Sequence, residues 1–156
     1  MPCVLTVVSQ MLIRRYSELR QLNSFEDRYR YLRLAGIVGE STFGFDRCLN
    51  QTLYQTSRWK SVRNKVILRD NGCDLGDPDH LIKGHIIVHH MNPITVDDIA
   101  DGKDWVFDPE FLICVSHGTH NAIHFGDENL LPKGLVERTP FDTCPWAKER
   151  RVVRDQ

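Results

Sequence analysis

No apolar run in these 156 residues approaches the ~20 needed to cross a bilayer. The apolar stretch at residues 3–8 is short and has no basic region before it, which argues against a secretory signal. Cysteine is sparse: Cys3, Cys48, Cys73, Cys114 and Cys144 are odd in number and scattered. No two of them form a C-x-x-C pair, so neither a disulfide framework nor a cysteine zinc ribbon is supported, and the pattern fits thiols kept reduced in a cytoplasm. There is no internal repeat and no low-complexity tract, which excludes solenoids and flexible linkers. What is present is a globular composition: 41% hydrophobic and 26% charged residues, enough for one ordinary domain with a core.

The net charge of −1 conceals an asymmetry. Residues 1–69 hold twelve Lys and Arg against five Asp and Glu, whereas residues 70–156 hold eight against sixteen. A basic half points to an anionic partner, nucleic acid being the commonest.

Periodicity predicts a helix over 12–22 with Ile13, Tyr16 and Leu19 at three-residue steps. Ser24-Phe25-Glu26-Asp27 then reads as a capping box. The second helix it opens puts Phe25, Tyr29 and Leu32 on one face and Arg28, Arg30 and Arg33 on the other, ending near Gly36. Residues 39–57 read as irregular. A third helix is expected over 57–69, with Trp59, Val62 and Val66 as its apolar stripe. Its charged residues Arg58, Lys60, Arg63 and Lys65 are candidate contacts to DNA phosphate. Asp70-Asn71-Gly72 is a turn signal that stops it. Residues 86–88 read as a buried strand running into His89-His90, and 91–109 as a long loop. A second strand is expected over 111–115, then a short helix over 119–125 closed by Gly126. The tail from Leu130, with Pro132, Pro140 and Pro145, is expected to be extended on the surface. The organisation is a single compact α+β domain in three stretches: a basic, mainly helical part (1–69), a core (70–131) and a tail (132–156).

Six of the seven histidines fall between His85 and His124. His89 and His90 are adjacent at a strand end, so their side chains point to different faces. His120 and His124 are four apart and share a helical face. Such a pair binds one divalent ion through two imidazoles, and His89 on the facing strand is the expected third ligand, leaving an open coordination position. His90, turned from the ion and reaching solvent, is the expected general base. His80, His85 and His117 read as loop or sheet-face residues, and Asp97, Asp98, Asp101 and Asp104 as a solvated loop.

The run Gly84-His85-Ile86-Ile87-Val88-His89-His90-Met91-Asn92-Pro93-Ile94, followed by Asp108-Pro109-Glu110-Phe111-Leu112-Ile113 and Thr119-His120-Asn121-Ala122-Ile123-His124, resembles an HNH endonuclease of the ββα-metal type, particularly small HNH proteins of phages. Upstream, Thr42 to Arg47, Asn50-Gln51, Trp59, Arg63 and Arg69 to Gly72 extend the likeness over about residues 25–131. The resemblance implies a ββα-metal core with two or three packed N-terminal helices, in the cytoplasm of a bacterial or phage-infected cell. It implies a divalent ion (Zn, Ni, Mn or Mg) held by His89, His120 and His124, with His90 as the base that activates water. The implied partner is double-stranded DNA, cut to leave a 5′ phosphate. Two features depart from the pattern: Phe111 stands where the motif's central Asn belongs, leaving Asn92 or Asn121 as substitutes, and the C-x-x-C pairs of many relatives are missing, so no structural zinc is expected. The rival is a non-catalytic DNA- or protein-binding module on the same fold, for example in contact with phage packaging proteins. A phosphodiesterase acting on RNA is the third reading.

Overall fold

The computed structural model describes residues 12–34 and 47–132, with the backbone alone at 47–50. The expected C-terminal tail beyond Pro132 lies outside the described residues, as do Cys3, Cys144 and the side chain of Cys48. The chain is a mixed α and β protein built on a two-stranded antiparallel sheet. In order come α1 (Tyr16–Leu19), α2 (Phe25–Leu32), α3 (Arg47–Gln55), α4 (Ser57–Arg69), β1 (Ile87–His90), α5 (Val96–Ala100), β2 (Leu112–Val115) and α6 (His117–Phe125), with short 3₁₀ turns between them. No helix among the described residues is long and apolar enough to cross a membrane.

β1 and β2 pair in the register Ile87–Val115, Val88–Cys114, His89–Ile113 and His90–Leu112. Both faces of this ribbon are covered. Ile113 and Val115 pack with Leu19, Phe25, Tyr29 and Leu32 of α1 and α2 and with Ala122 and Ile123 of α6. Val88, Leu112 and Cys114 face Trp59, Val62 and Val66 of α4. All four residues of β2 are fully buried, which is why that strand reads as a continuous apolar run rather than an alternating one.

The ends of the helices follow from their sequences. Thr56 caps α4 by accepting from the Trp59 amide (3.1 Å). After Asp70 the chain turns left-handed at Asn71 (φ 52°) and Gly72 (φ 66°), which ends the helix. Gly126, at φ 68°, closes α6 as expected. Ser24 caps α2 by accepting from the Asp27 amide, and its hydroxyl donates to the Asp27 carboxylate (2.8 Å).

Several expectations are corrected. The helix expected over 12–22 shrinks to one turn: Arg15 is extended (φ −130°, ψ 145°), and the strand-like lead-in is tied down by Arg14 N donating to Asn92 Oδ1 and Arg15 N to Tyr31 Oη. The second helix stops at Leu32 rather than near Gly36. The stretch read as irregular holds α3, which buries Leu53. The long loop holds α5, opened by a capping box between Thr95 and Asp98. Lys103 then bonds the other oxygen of Asp98 (2.7 Å), and these donors hold the carboxyl down at about 2. Phe111 does not open the second strand; it ends the 3₁₀ turn Pro109–Phe111, capped by Asp108. His117 is the first residue of α6 rather than a turn residue. His85 lies before β1 and is exposed.

A turn at Glu128–Leu130 folds back over α6 so closely that a Cβ added to Gly118 would stand 2.8 Å from the Leu130 carbonyl oxygen. Alanine normally favours a helix by about 1 kcal/mol over glycine. Gly118→Ala is nonetheless expected to destabilise the protein by roughly 1–3 kcal/mol through overpacking. Thermal unfolding checks this, and an unchanged or raised Tm would show that the turn is not fixed against the helix.

Candidate metal centre

Three of the expected site residues come together. The ring nitrogens of His89, His120 and His124 offer three ligand atoms that all lie within 4.8 Å of one another. The ring centroids are 5.2 Å apart for His89–His120, 5.0 Å for His89–His124 and 4.4 Å for His120–His124. Zn–N bonds of about 2.0–2.1 Å place tetrahedral nitrogens roughly 3.3–3.5 Å apart, so small ring rotations close the set around one ion.

The strand and the helix hold these rings in place. Alternation along β1 turns His89 toward α6 while its paired residue Ile113 enters the same core. On α6 the i, i+4 spacing stacks His120 and His124 on one face. The N-terminus of that helix is anchored by Asp74, which the sequence reading did not single out. Asp74 accepts from the Ser116 amide (3.1 Å) and from the Thr119 hydroxyl (2.6 Å), while Ser116 caps the helix through the Thr119 amide. Burial pushes the Asp74 carboxyl up, against these hydrogen bonds.

Two observations test whether the residues fit a metal. First, Nε2 of His89 is buried with no hydrogen-bond partner, and an unmet buried imidazole nitrogen is costly unless something else binds it. Second, the donors are the neutral form that ligates. Burial, then the neighbouring histidines, hold His89 well below its ordinary range. Burial lowers His120 and brings His124 down to about 4. An all-imidazole set suits Zn or Ni better than Mg, which prefers oxygen. On the helix, Asn121 lies between two of the rings, with Oδ1 3.5 Å from His120 Nδ1 and Nδ2 3.4 Å from His117 Nδ1.

His90 is not in this cluster. As strand alternation requires, it turns to the opposite face, but it does not reach out to solvent as expected: it is 8% exposed. Its ring stacks on Trp59, with centroids 5.2 Å apart and planes at 21°. Its Nε2 lies 2.8 Å from the Val106 carbonyl oxygen. A carbonyl only accepts, so Nε2 carries the proton and Nδ1 keeps its lone pair. Burial lowers the ring to about 4, so it is neutral at neutral pH. Trp105 meets Phe111 edge-on at 6.2 Å.

The four basic residues assigned to DNA do not form one free strip. Arg58 pairs with Asp104 (2.7 Å) and lies 4.1 Å over the Phe107 ring. Arg63 donates to the Ile86 carbonyl (3.0 Å). Acceptors on the loops beside α4 occupy both side chains, whereas Lys60 and Lys65 stand exposed and make no such bond among the described residues.

The sequence reading passed over Arg14 and left Asn92 as one of two candidates. The Asn92 side chain both accepts from Arg14 N (2.8 Å) and donates to Arg14 O (2.9 Å), and Met91 N donates to the Phe111 carbonyl (2.9 Å). The chain leaving the histidine doublet is therefore tied on two sides. Glu110, just before β2, accepts from the Ser17 amide (3.0 Å) and hydroxyl. In comparisons with protein-family models, with curated proteins and with solved structures, nothing matches this chain.

Proposed function

We propose that the chain is a metal-dependent DNA endonuclease of the HNH type, hydrolysing phosphodiester bonds. The observation that carries the reading is the convergence of three neutral imidazoles, one of them buried with Nε2 unmet, at the meeting of a strand and a helix. The order strand, strand, helix through β1, β2 and α6 supports it.

His89, His120 and His124 would hold the ion. Bound there, a divalent cation supplies positive charge that neutralises the scissile phosphate and stabilises the departing 3′ oxygen. The Val106 carbonyl fixes the tautomer of His90 and leaves Nδ1 as its basic nitrogen. That nitrogen takes the proton of the attacking water as the P–O3′ bond breaks, leaving the phosphate on the 5′ side. Lys60 and Lys65 offer charge to the DNA backbone, which makes binding salt-sensitive.

The burial of His90 against Trp59 favours a second reading, in which the same fold binds DNA or protein without cutting. Supercoiled plasmid separates the two when incubated with Zn²⁺, Ni²⁺, Mn²⁺ or Mg²⁺ in turn, with and without chelator. Cleavage by the wild type and its loss with chelator are expected. His120→Ala is expected to weaken binding of Zn²⁺ by more than about 100-fold and to abolish cutting. Unchanged cleavage by that variant would remove the centre from the reaction. Stoichiometric metal binding and DNA binding with no cleavage under any ion would select the second reading.

A further inference from the structure

A cleft of about 330 Å³ opens between the start of α2 and the turn that follows α6. Phe25 and His80 make its aromatic surface: the His80 ring lies flat on Phe25, with centroids 4.0 Å apart and planes at 16°. Leu131 and Pro132 add apolar surface. The exposed side chains of Glu26, Glu128 and Asn129 complete the lining. The turn Glu128–Leu130 packs on α6 at Gly118, so the cleft and the metal centre lean on one helix without sharing a residue.

The polar ends left over in this lining are acceptors. Glu26 makes no side-chain hydrogen bond or ion pair among the described residues. Glu128 pairs with Arg33 on the surface (3.5 Å), where solvent weakens the attraction. His80 turns its buried Nδ1 toward the Asp77 carboxylate, 3.4 Å away. A carboxylate only accepts, so the proton of the neutral ring lies on Nδ1 and Nε2 is left as an acceptor. Asn129 commits its amide nitrogen to Asp127 (2.9 Å) and keeps Oδ1.

An occupant therefore has to bring donors and positive charge. Phosphate is repelled, so the cleft does not continue a nucleic-acid surface. A metal ion does not suit it either: among the described residues only His89, His120 and His124 bring three ligand atoms close enough together. A guanidinium answers each feature. It carries five N–H donors and no acceptor. Its plane stacks on aromatic rings, and its fork bonds carboxylates. The volume lies at the lower end of the roughly 300–1,000 Å³ of small-molecule sites, which is room for one side chain. Free arginine would carry its own carboxylate to a rim of glutamates, whereas in a peptide that charge is gone.

We propose that this cleft is a guanidinium site that takes an arginine side chain of a peptide segment, stacked against the Phe25–His80 surface and held by Glu26 and Glu128.

NMR titration of the full chain with N-acetyl-arginine amide tests this, beside N-acetyl-lysine amide and free arginine. The arginine amide is expected to saturate and to shift the signals of Glu26, His80 and Asn129. Glu26→Gln and Glu128→Gln change exposed side chains, and each is expected to weaken that binding by about 3- to 10-fold. Signals remote from the cleft report that both variants keep the fold. The lysine amide has the same charge but no plane, and is expected to bind at least ~3-fold more weakly than the arginine amide. Free arginine is expected to fall below its amide as well. Shifts that spread over the acidic surface without saturating overturn the proposal, as does equal binding of the lysine and arginine amides. Affinity unchanged in both glutamine variants does the same. Free arginine binding as tightly as its amide overturns the peptide source. No metal and no DNA enter these titrations, so their outcome is independent of the endonuclease reading.

Discussion

His90→Gln is expected to lower kcat for DNA cleavage by roughly 10²–10⁴-fold, the usual contribution of a positioned general base. Glutamine is the informative substitution. The wild-type ring fills a site against Trp59 and donates to the Val106 carbonyl. Alanine would remove both the packing and the bond, mixing a stability loss into the rate. The glutamine amide fills much of the same space and still has a donor for Val106, but it has no basic nitrogen to accept a proton. Metal affinity should be unchanged, since His90 lies on the opposite face of β1 from the three ligands. The check is therefore a pair of measurements, turnover under saturating metal and Zn²⁺ affinity by calorimetry. Turnover equal to the wild type would show that His90 is a core histidine and that another group activates water. Loss of both together would mean that the doublet acts through the shape of the strand end.

The outcome at His90 also marks where sequence reading reaches its limit in this protein. Strand alternation was enough to separate His89 from His90, and helical spacing enough to join His120 to His124, because both depend on backbone periodicity alone. The solvent access of His90 depends on what lies over it, which is Trp59 of α4, 31 residues earlier in the chain. The same distinction holds for the fold. The limits of α4 and its buried stripe Trp59, Val62 and Val66 were legible from an apolar period and a turn signal. The start of the helix expected over 12–22 was not, because the backbone at Arg15 is extended and held by contacts to Asn92 and Tyr31, which lie far along the chain. α5 was legible in principle: Thr95 followed three residues later by Asp98 is a capping signature, obscured by reading the four aspartates as one solvated group. α3 was obscured by grouping residues 47–55, which contain no glycine, with the glycines just before them. Of the basic residues on α4, side-chain type gave no warning that Arg58 and Arg63 would be consumed by Asp104 and by the Ile86 carbonyl.

The largest stability effect is expected at Asp70, which joins both halves of the core. Asp70 is the C-cap residue of α4, its backbone N–H donating to the Val66 carbonyl, and its carboxylate is fully buried. One oxygen accepts from Arg69 Nε (2.7 Å); the other accepts from Arg69 Nη2 (3.0 Å) and from the Cys114 amide at the centre of β2 (2.9 Å). Arg69, so oriented, donates to the Pro109 carbonyl (2.7 Å) and the Leu112 carbonyl (2.8 Å), and its guanidinium lies 3.4 Å over the Tyr16 ring of α1. One ion pair thus ties α4, β2 and α1 around the sheet whose other strand carries His89. Asp70→Ala leaves a mostly buried guanidinium without its anion and a buried amide without an acceptor. Removing one partner of such a pair costs about 3–5 kcal/mol, which in a domain of this size corresponds to a Tm lower by roughly 6–20 °C. Asp70→Asn keeps an acceptor for Cys114 and removes the charge, so it should fall between alanine and the wild type. Replacing both partners, as Arg69→Met with Asp70→Asn, should cost less than the two single losses added together, because neither charge is then left alone. Thermal unfolding of the wild type, Asp70→Ala, Asp70→Asn, Arg69→Met and the double variant reads the coupling directly. Additive losses, or a shift below about 2 °C for Asp70→Ala, would mean that the sheet is held by its apolar faces and that the ion pair only decorates their edge.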